Sequence, residues 1–428
     1  MDSALAYSTF AMTIALAVSR PRIGLGELRM TPGLAAVLGV FILLATGLLP
    51  FGELWTSAQV QWRPLLALTS VMVMTGVVRE VGAFDRVALK LEAHARGTAA
   101  TRAFDLIFVA AVVTPTLLNN DAAILLLTPI AVVLARKLYP GNDKVLEAFV
   151  FAVFLAPGVA PLVVSNPMNL IVAEFVGLGF NDYARVMVPI SIAGALLTFA
   201  ILRFHYRHAL TAQAAPSEPV LMPARHPAEL PALGVLLAVF LCYPIMAALG
   251  GPIWSVAAVG ALSALIIAKR HAVASPRKLA SHVSLDILAF LWGIYLVVAG
   301  LRGVGVVERL TSLYDAYEGG HGLHLAVVGV VSALGSAIAD NHPMSVLNMM
   351  ALGNHEGTRP LLAALIGGDI GPRLLPIGSL AGLLWLDVLR RKGIEIGIGR
   401  FARLGTLLVL PTLALSLWML WVSDYIWH

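Results

Sequence analysis

Three aspartates stand in stretches of the chain that carry almost no other charge. Asp121 follows two asparagines, Asn119 and Asn120, in TPTLLNNDAAILLLTP (114–129), Asp340 opens DNHPM (340–344), and Asp369 follows Gly367 and Gly368 in IGGDIGPRLLPIGS (366–379). A fourth polar stretch, SNPMN (165–169), adds Ser165, Asn166 and Asn169 without a charge. Each carboxylate costs about 2.5 to 3.5 kcal/mol at the centre of a membrane helix, so all three are expected to face a cavity or a partner. A carboxylate in such a place can take up and release a proton, and carboxamides offer both donors and acceptors to a hydroxylated solute. Asn119, Asn120, Asp121, Ser165, Asn166, Asn169, Asn341, Gly368, Asp369 and Ser379 are therefore the candidate solute-binding residues. Asp121 and Asp369, with Asp340 and His342 beside them, are the candidates for proton coupling. Arg373 lies four residues after Asp369 and is expected to form a structural ion pair with it. No catalytic residue, resident metal or cofactor is expected. The single cysteine, Cys242, cannot build a disulfide framework or a multi-thiolate metal site. An enzyme reading also fails on motifs, since no His-Glu-x-x-His or Gly-x-Ser-x-Gly occurs and Asp369 lacks the Gly-x-Gly-Asp context of an intramembrane aspartyl protease.

Composition says what must position these residues. Of 428 residues 59% are hydrophobic and 12% charged, and mean hydropathy is +0.87. That is the balance of an all-α polytopic membrane protein. The net charge of +5 then reports orientation in the bilayer, not nucleic-acid binding. The first apolar run, followed by Arg20 and not preceded by a basic segment, reads as a span and not as a cleaved signal.

A span needs roughly 20 mainly apolar residues. About ten candidates fall near 4–19, 33–50, 63–78, 148–177, 187–202, 229–249, 252–268, 285–301, 361–387 and 402–422. Two further regions, 103–137 and 322–353, are too long for one span and are interrupted by LLNNDAA and IADNHPMS. Each half of these regions is only about 14 to 17 residues, which predicts two re-entrant helical hairpins with polar tips at membrane depth. The spans at 148–177 and 361–387 are broken by Pro157, Gly158 and Pro161 in one and Gly371, Pro372, Pro376 and Gly378 in the other. The order of elements recurs, giving a first repeat at 1–207, a linker at 208–228 and a second repeat at 229–428. Five crossings per repeat is odd, so the repeats are inverted, and paired broken helices near the midplane mark the transport site. Of 29 Lys and Arg residues, 23 fall on one face of this topology and five on the other, with Arg373 inside a span. The crowded face is expected to be cytoplasmic, with both termini outside.

The stretches NNDAAILLLTPIAVVLARKL, SNPMNLIVAEFVGLGFNDYA and GGDIGPRLLPIGSLAGLLWLDVLRRKGIEIG closely resemble the arsenical pump membrane proteins, arsenite and antimonite exporters of the ion transporter superfamily. The resemblance runs over most of the chain in the same order. It implies a cell inner membrane transporter that exports the trivalent hydroxides of arsenic and antimony in exchange for protons, by alternating access with an elevator-like transport domain. It further implies that a soluble arsenite-stimulated ATPase can dock from the cytoplasm. The second tip departs from the pattern, because Asp340 and His342 stand where a neutral, asparagine-rich tip is expected. The alternative within the superfamily is a sodium/proton antiporter or a carboxylate carrier. A sodium-dependent dicarboxylate site usually carries Ser-Asn-Thr at each tip, whereas these tips read Asn-Asn-Asp and Asp-Asn-His.

Overall fold

The computed structural model describes residues 2–22, 29–118, 120–216, 219–317, 319–353 and 357–426, with Asp121 and residues 424–426 described by backbone alone. Asn119 and the Asp121 side chain thus lie outside the described residues. The chain is all-helical. In the first half run α1 (Asp2–Ser19), α2 (Pro32–Ala45), α3 (Phe51–Glu80), α4 (Ala83–Ala95), α5 (Ala100–Leu117), α6 (Asn120–Leu138), α7 (Asp143–Leu155), α8 (Pro167–Val176) and α9 (Phe180–His205). In the second run α10 (Glu229–Ala248), α11 (Ile253–Arg270), α12 (Pro276–Ala280), α13 (Leu285–Arg302), α14 (Val306–Asp315), α15 (His321–Ala339), α16 (Asn341–Leu352), α17 (Arg359–Ile370), α18 (Leu380–Arg391) and α19 (Ile398–Ile426). With the short α12 set aside, the order of elements after Glu229 repeats the order before it.

The boundaries follow local chemistry. Thr31, Asn142 and Ser284 each accept a backbone N–H of the following helix, capping α2, α7 and α13. Prolines 64, 129, 189, 244 and 411 lie inside α3, α6, α9, α10 and α19 without ending them, as membrane helices allow when neighbours satisfy the freed carbonyls.

The structure differs from the expected span list in instructive ways. Among the described residues seven helical segments, one of them running from α12 through α13, are long and apolar enough to cross, and an eighth span is counted if α3 and α4, bent by 61°, are taken together. The broken spans escape this test because each is divided into pieces of 10 to 13 residues. Conversely, the first arms of both hairpins pass it, being 18 and 19 residues long, more than the expected half-length. The helices α4 and α14 were not expected. Both are short, follow the third long helix of their half, and sit behind a left-handed glycine, Gly82 or Gly305, that turns the chain. The linker is also more ordered than its composition suggests. Ala212 accepts from Ala100, and Ala214 and Ala215 donate to Thr98 and Leu138, strapping it to the base of the first hairpin.

Packing exchanges elements between the halves. α2 lies along α13 and α3 along α11; α6 packs on α18 and α8 on α16; α9 meets α19. An aromatic cluster of Phe151, Phe154, Trp385 and Phe401 holds α7 against α18 and α19, and the Trp385 indole donates to the Val150 carbonyl at 3.2 Å. α15 and α17 approach one another closely at Gly367. A side chain there would meet the Gly329 carbonyl, the Ala333 nitrogen at 2.9 Å and the Ser332 Cβ at 2.9 Å. Small residues at such contacts let two membrane helices touch backbone to backbone. Gly367→Ala is therefore expected to destabilise the fold by about 1 to 3 kcal/mol, read as a lower unfolding temperature in detergent. Gly399→Ala, where a methyl meets nothing within 4 Å, is expected to leave that temperature unlowered.

Candidate functional site

Four helix N-termini point at one place. α6 starts at Asn120 and α16 at Asn341, the second arms of the two hairpins; α8 starts behind Asn166 and α18 behind Ser379, after the two breaks. Asn120, Asn166, Asn341, Asp369 and Ser379 line a common cavity with Arg373, and Gly368 and His342 also reach it. Its space for the centre of a water-sized sphere is ≈ 60 Å³. N-termini carry free N–H groups and partial positive charge, so the cavity is built for oxygen atoms.

The caps show why the chain breaks where it does. Asn166 Oδ1 accepts from the Met168 amide at 3.0 Å, and Ser379 Oγ accepts from the Gly382 amide at 3.0 Å. Each break is followed by a proline-assisted 3₁₀ turn or a proline at the first helical position, Pro167 in one case and Pro376 in the other. At the second hairpin tip Asp340 Oδ1 accepts from the His342 amide at 2.9 Å and lies 2.6 Å from His342 Nδ1. Asp340 holds φ +77° and ψ +148°, a region that favours glycine, so the cap is made at the expense of backbone strain. The His342 ring stands edge-on to Phe290.

Asp369 is the hub. Its Oδ1 accepts from Asn166 Nδ2 at 2.6 Å; its Oδ2 accepts from the Ala160 amide at 2.9 Å and from Asn169 Nδ2 at 3.2 Å. Asn169 also donates to the Tyr183 hydroxyl at 2.6 Å, which in turn donates to the Ala160 carbonyl at 2.9 Å. The second half thus supplies the carboxylate and the first half supplies its described donors. Among the described residues Arg373 does not make the expected direct salt bridge to Asp369, although the two charges still attract one another. The helix ends at Ile370 and the chain tightens to a 3₁₀ turn at Gly371–Arg373, which rotates the guanidinium off the face that Asp369 occupies. Arg373 instead donates to the Pro157 carbonyl, one of those left free by the first break.

The structure places the other expected residues in graded positions. Gly368 is in the wall, and a Cβ there would lie 2.5 Å from Asn341 Oδ1, so the hairpin tip requires its bareness. Asn169 is buried behind Asp369 and does not line the cavity. Ser165 is buried with its hydroxyl at 3.4 Å from the Thr116 carbonyl, beside a separate small cleft under the first hairpin. Asp340 acts on the tip as a cap and does not line the cavity. Tyr183, the Ala160 amide and the Pro157 carbonyl were not singled out from sequence. The two backbone groups were signalled by the prolines at 157 and 161, but nothing local distinguishes Tyr183 from other aromatics in an apolar span. Cys242 is exposed on α10, away from the cavity, and the described residues hold no cluster of three or more His, Cys, Asp or Glu suited to a metal ion.

Residues 5–428 match the family model described as arsenical pump membrane protein. The chain belongs to the arsenical pump membrane protein family. It is 32% identical over 427 residues to an arsenical pump membrane protein of Escherichia coli, covering 96% of this chain and 97% of that one. A Yersinia enterocolitica protein of the same name is 30% identical over 425 residues, covering 96% and 97%. Among solved structures the Alcanivorax borkumensis YdaH transporter, described as having an unusual topology, covers 99% of this chain and 98% of its own, with a TM-score of 0.56 and 15% identity. That last likeness is one of fold. Membership makes the chain a multi-pass membrane transporter, and the hub on Asp369 lies within the matched residues.

Within this family member, Tyr183→Phe is expected to leave the Ala160 carbonyl without its donor and the Asn169 amide without one of its two acceptors, all in a fully buried setting. The loss is about 1 to 3 kcal/mol of stability, measured by thermal unfolding in detergent. An unfolding temperature equal to that of the native chain would show that the hydroxyl does not brace the hub.

Proposed function

We propose that the chain exports arsenite and antimonite as their neutral trihydroxides in exchange for protons, by alternating access with an elevator-like movement of the hairpins and broken helices. The single observation that carries this reading is the cavity at Asp369: small, ringed by carboxamides and helix N-termini, and without a thiol. A trihydroxide has four heavy atoms and three hydroxyls. The ≈ 60 Å³ open to water-sized centres suits such a solute, given that one water takes roughly 10 to 15 Å³ by this measure. A dicarboxylate is larger and brings two charges, so the carboxylate-carrier alternative fits the cavity less well. Hydrogen bonds also release their cargo readily, which three arsenic–sulfur bonds would not.

Coupling follows from counting lone pairs. An ionised carboxylate offers about four acceptor positions, and three on Asp369 are taken by Ala160, Asn166 and Asn169. Among the described residues one remains for a hydroxyl of the solute. A proton arriving on that oxygen removes the acceptor, so solute and proton exclude one another at the same atom. A neutral solute draws nothing from the membrane potential, whereas each proton entering is worth about 2.3 kcal/mol per 100 mV. In this scheme loss of the proton to the cytoplasm accompanies capture, and uptake of a proton outside accompanies release. Asp121 is the second candidate carrier, and Asp340 and His342 at the other tip are the further candidates. The two halves act as inverted repeats, 1–207 and 229–428 about the linker 208–228, with both termini outside, and the family's soluble ATPase, where present, docks on the arginine-rich cytoplasmic face.

Everted vesicles carrying the protein are expected to accumulate arsenite when a proton gradient is imposed, and to stop when a protonophore collapses it. Uptake indifferent to the gradient would sink the exchange mechanism. Asp369→Asn is expected to abolish gradient-driven accumulation, and retention of the native rate by both Asp369→Asn and Asp121→Asn would remove carboxylate coupling altogether. ATP alone is expected to add nothing unless a soluble ATPase is supplied.

A further inference from the structure

A second cavity opens between the first hairpin and the helices that flank it. Thr75, Gly76 and Arg79 of α3 form one wall, Leu118 and Ala122 on either side of the first hairpin tip form another, and His282, Ser284 and Leu384 close the remainder. Its space for water-sized centres is ≈ 150 Å³, larger than that of the central cavity. Two elements run directly from one cavity to the other. At the hairpin tip Leu118 and Ala122 face this cavity while Asn120, between them, faces the central one. On α18, Ser379 and Ala381 line the central cavity and Leu384 lines this one, three residues farther along, a rise of about 4.5 Å.

The cavity lies at the basic end of α3 and beside the basic turn before α13. It takes the last turns of α3 before Glu80 and the start of α13 after Lys278, and α18 runs from it toward Arg390 and Arg391. At the rim Glu80 is held by His282 at 2.8 Å and Lys278 at 2.5 Å, so among the described side chains the rim carboxylate is neutralised and the exposed Arg79 leaves the mouth positive. A positive mouth repels free metal cations and passes an uncharged hydroxide. Gly76 keeps the opening close to His282, since a Cβ would stand 2.8 Å from the His282 Cβ.

We propose that this cavity is the cytoplasmic entrance through which the uncharged trihydroxide reaches the central site, with Leu118, Asn120 and Ala122 standing between the two. The proposal rests on the transport reading above, but its test is separable from it. The lone cysteine sits exposed on α10, so Cys242→Ser gives a thiol-free background into which Thr75→Cys or Leu384→Cys is placed. A charged, membrane-impermeant methanethiosulfonate is applied to everted vesicles, where the cytoplasmic face is outward, and to right-side-out vesicles. Both cysteines are expected to react in everted vesicles only. Complete labelling is expected to cut the initial rate of arsenite uptake by about tenfold or more, equivalent to raising the barrier by about 1.4 kcal/mol. Labelling from the opposite face, labelling from neither face, or full labelling with an undiminished rate would each overturn the entrance. If the unlabelled thiol-free protein moves no arsenite under any gradient, the transport reading fails instead, and the sidedness of labelling still decides where the cavity opens.

Discussion

The whole arrangement depends on one carboxylate that belongs to one half of the chain and is satisfied by the other. In hydrocarbon an unpaired backbone or side-chain polar group is worth several kcal/mol of penalty, so a helix can be interrupted only where protein supplies every missing partner. Asp369 meets this demand for the first break by taking the Ala160 amide and the carboxamides of Asn166 and Asn169. Arg373 meets it in the reverse direction by donating to Pro157. The two breaks are thus joined by reciprocal contacts: the second sends a carboxylate and a guanidinium to the first, and the first supplies their partners.

That reciprocity explains the close packing around it. The helix ending at Ile370 has to lie against α15 closely enough for the second hairpin tip to reach the cavity, and Gly367, Gly368 and Gly371 leave the room. The exchange of partners between halves, α6 on α18 and α8 on α16, delivers all four helix starts to the same cavity. Trp385, fully buried among Phe151, Phe154 and Phe401, fixes the distance between α7 and α18 and so between the two sides of the cavity.

Much of this was legible in the sequence because lipid imposes a coarse grammar. Runs of apolar residues, the polar tips at 119–121 and 340–342, and prolines and glycines at 157–161 and 371–378 leave few other readings. The residues bracketing the cavity were legible for the same reason, since amides and acids are out of place in oil. What escaped notice has a physical cause in each case. The helices α4 and α14 are amphipathic and carry charges such as Arg86, Lys90 and Arg309, so a search for apolar length passes over them. Tyr183 braces the hub through contacts with residues 14 and 23 positions away, and pairing at that range leaves no local pattern. Arg373 was assigned to Asp369 on helical spacing, and the spacing failed because the helix had already ended.

The separation of Arg373 from Asp369 also bears on the electrical character of the cycle. A guanidinium stays protonated throughout, so on the proposed exchange it is a fixed charge that travels with the site. With Asp369 ionised and a neutral solute bound, this pair contributes no net charge to the outward journey. With Asp369 protonated and the solute gone, the same unit returns carrying one positive charge. The voltage would then act only on the empty leg, pulling the unloaded site back toward the cytoplasm, while the loaded leg would be indifferent to it.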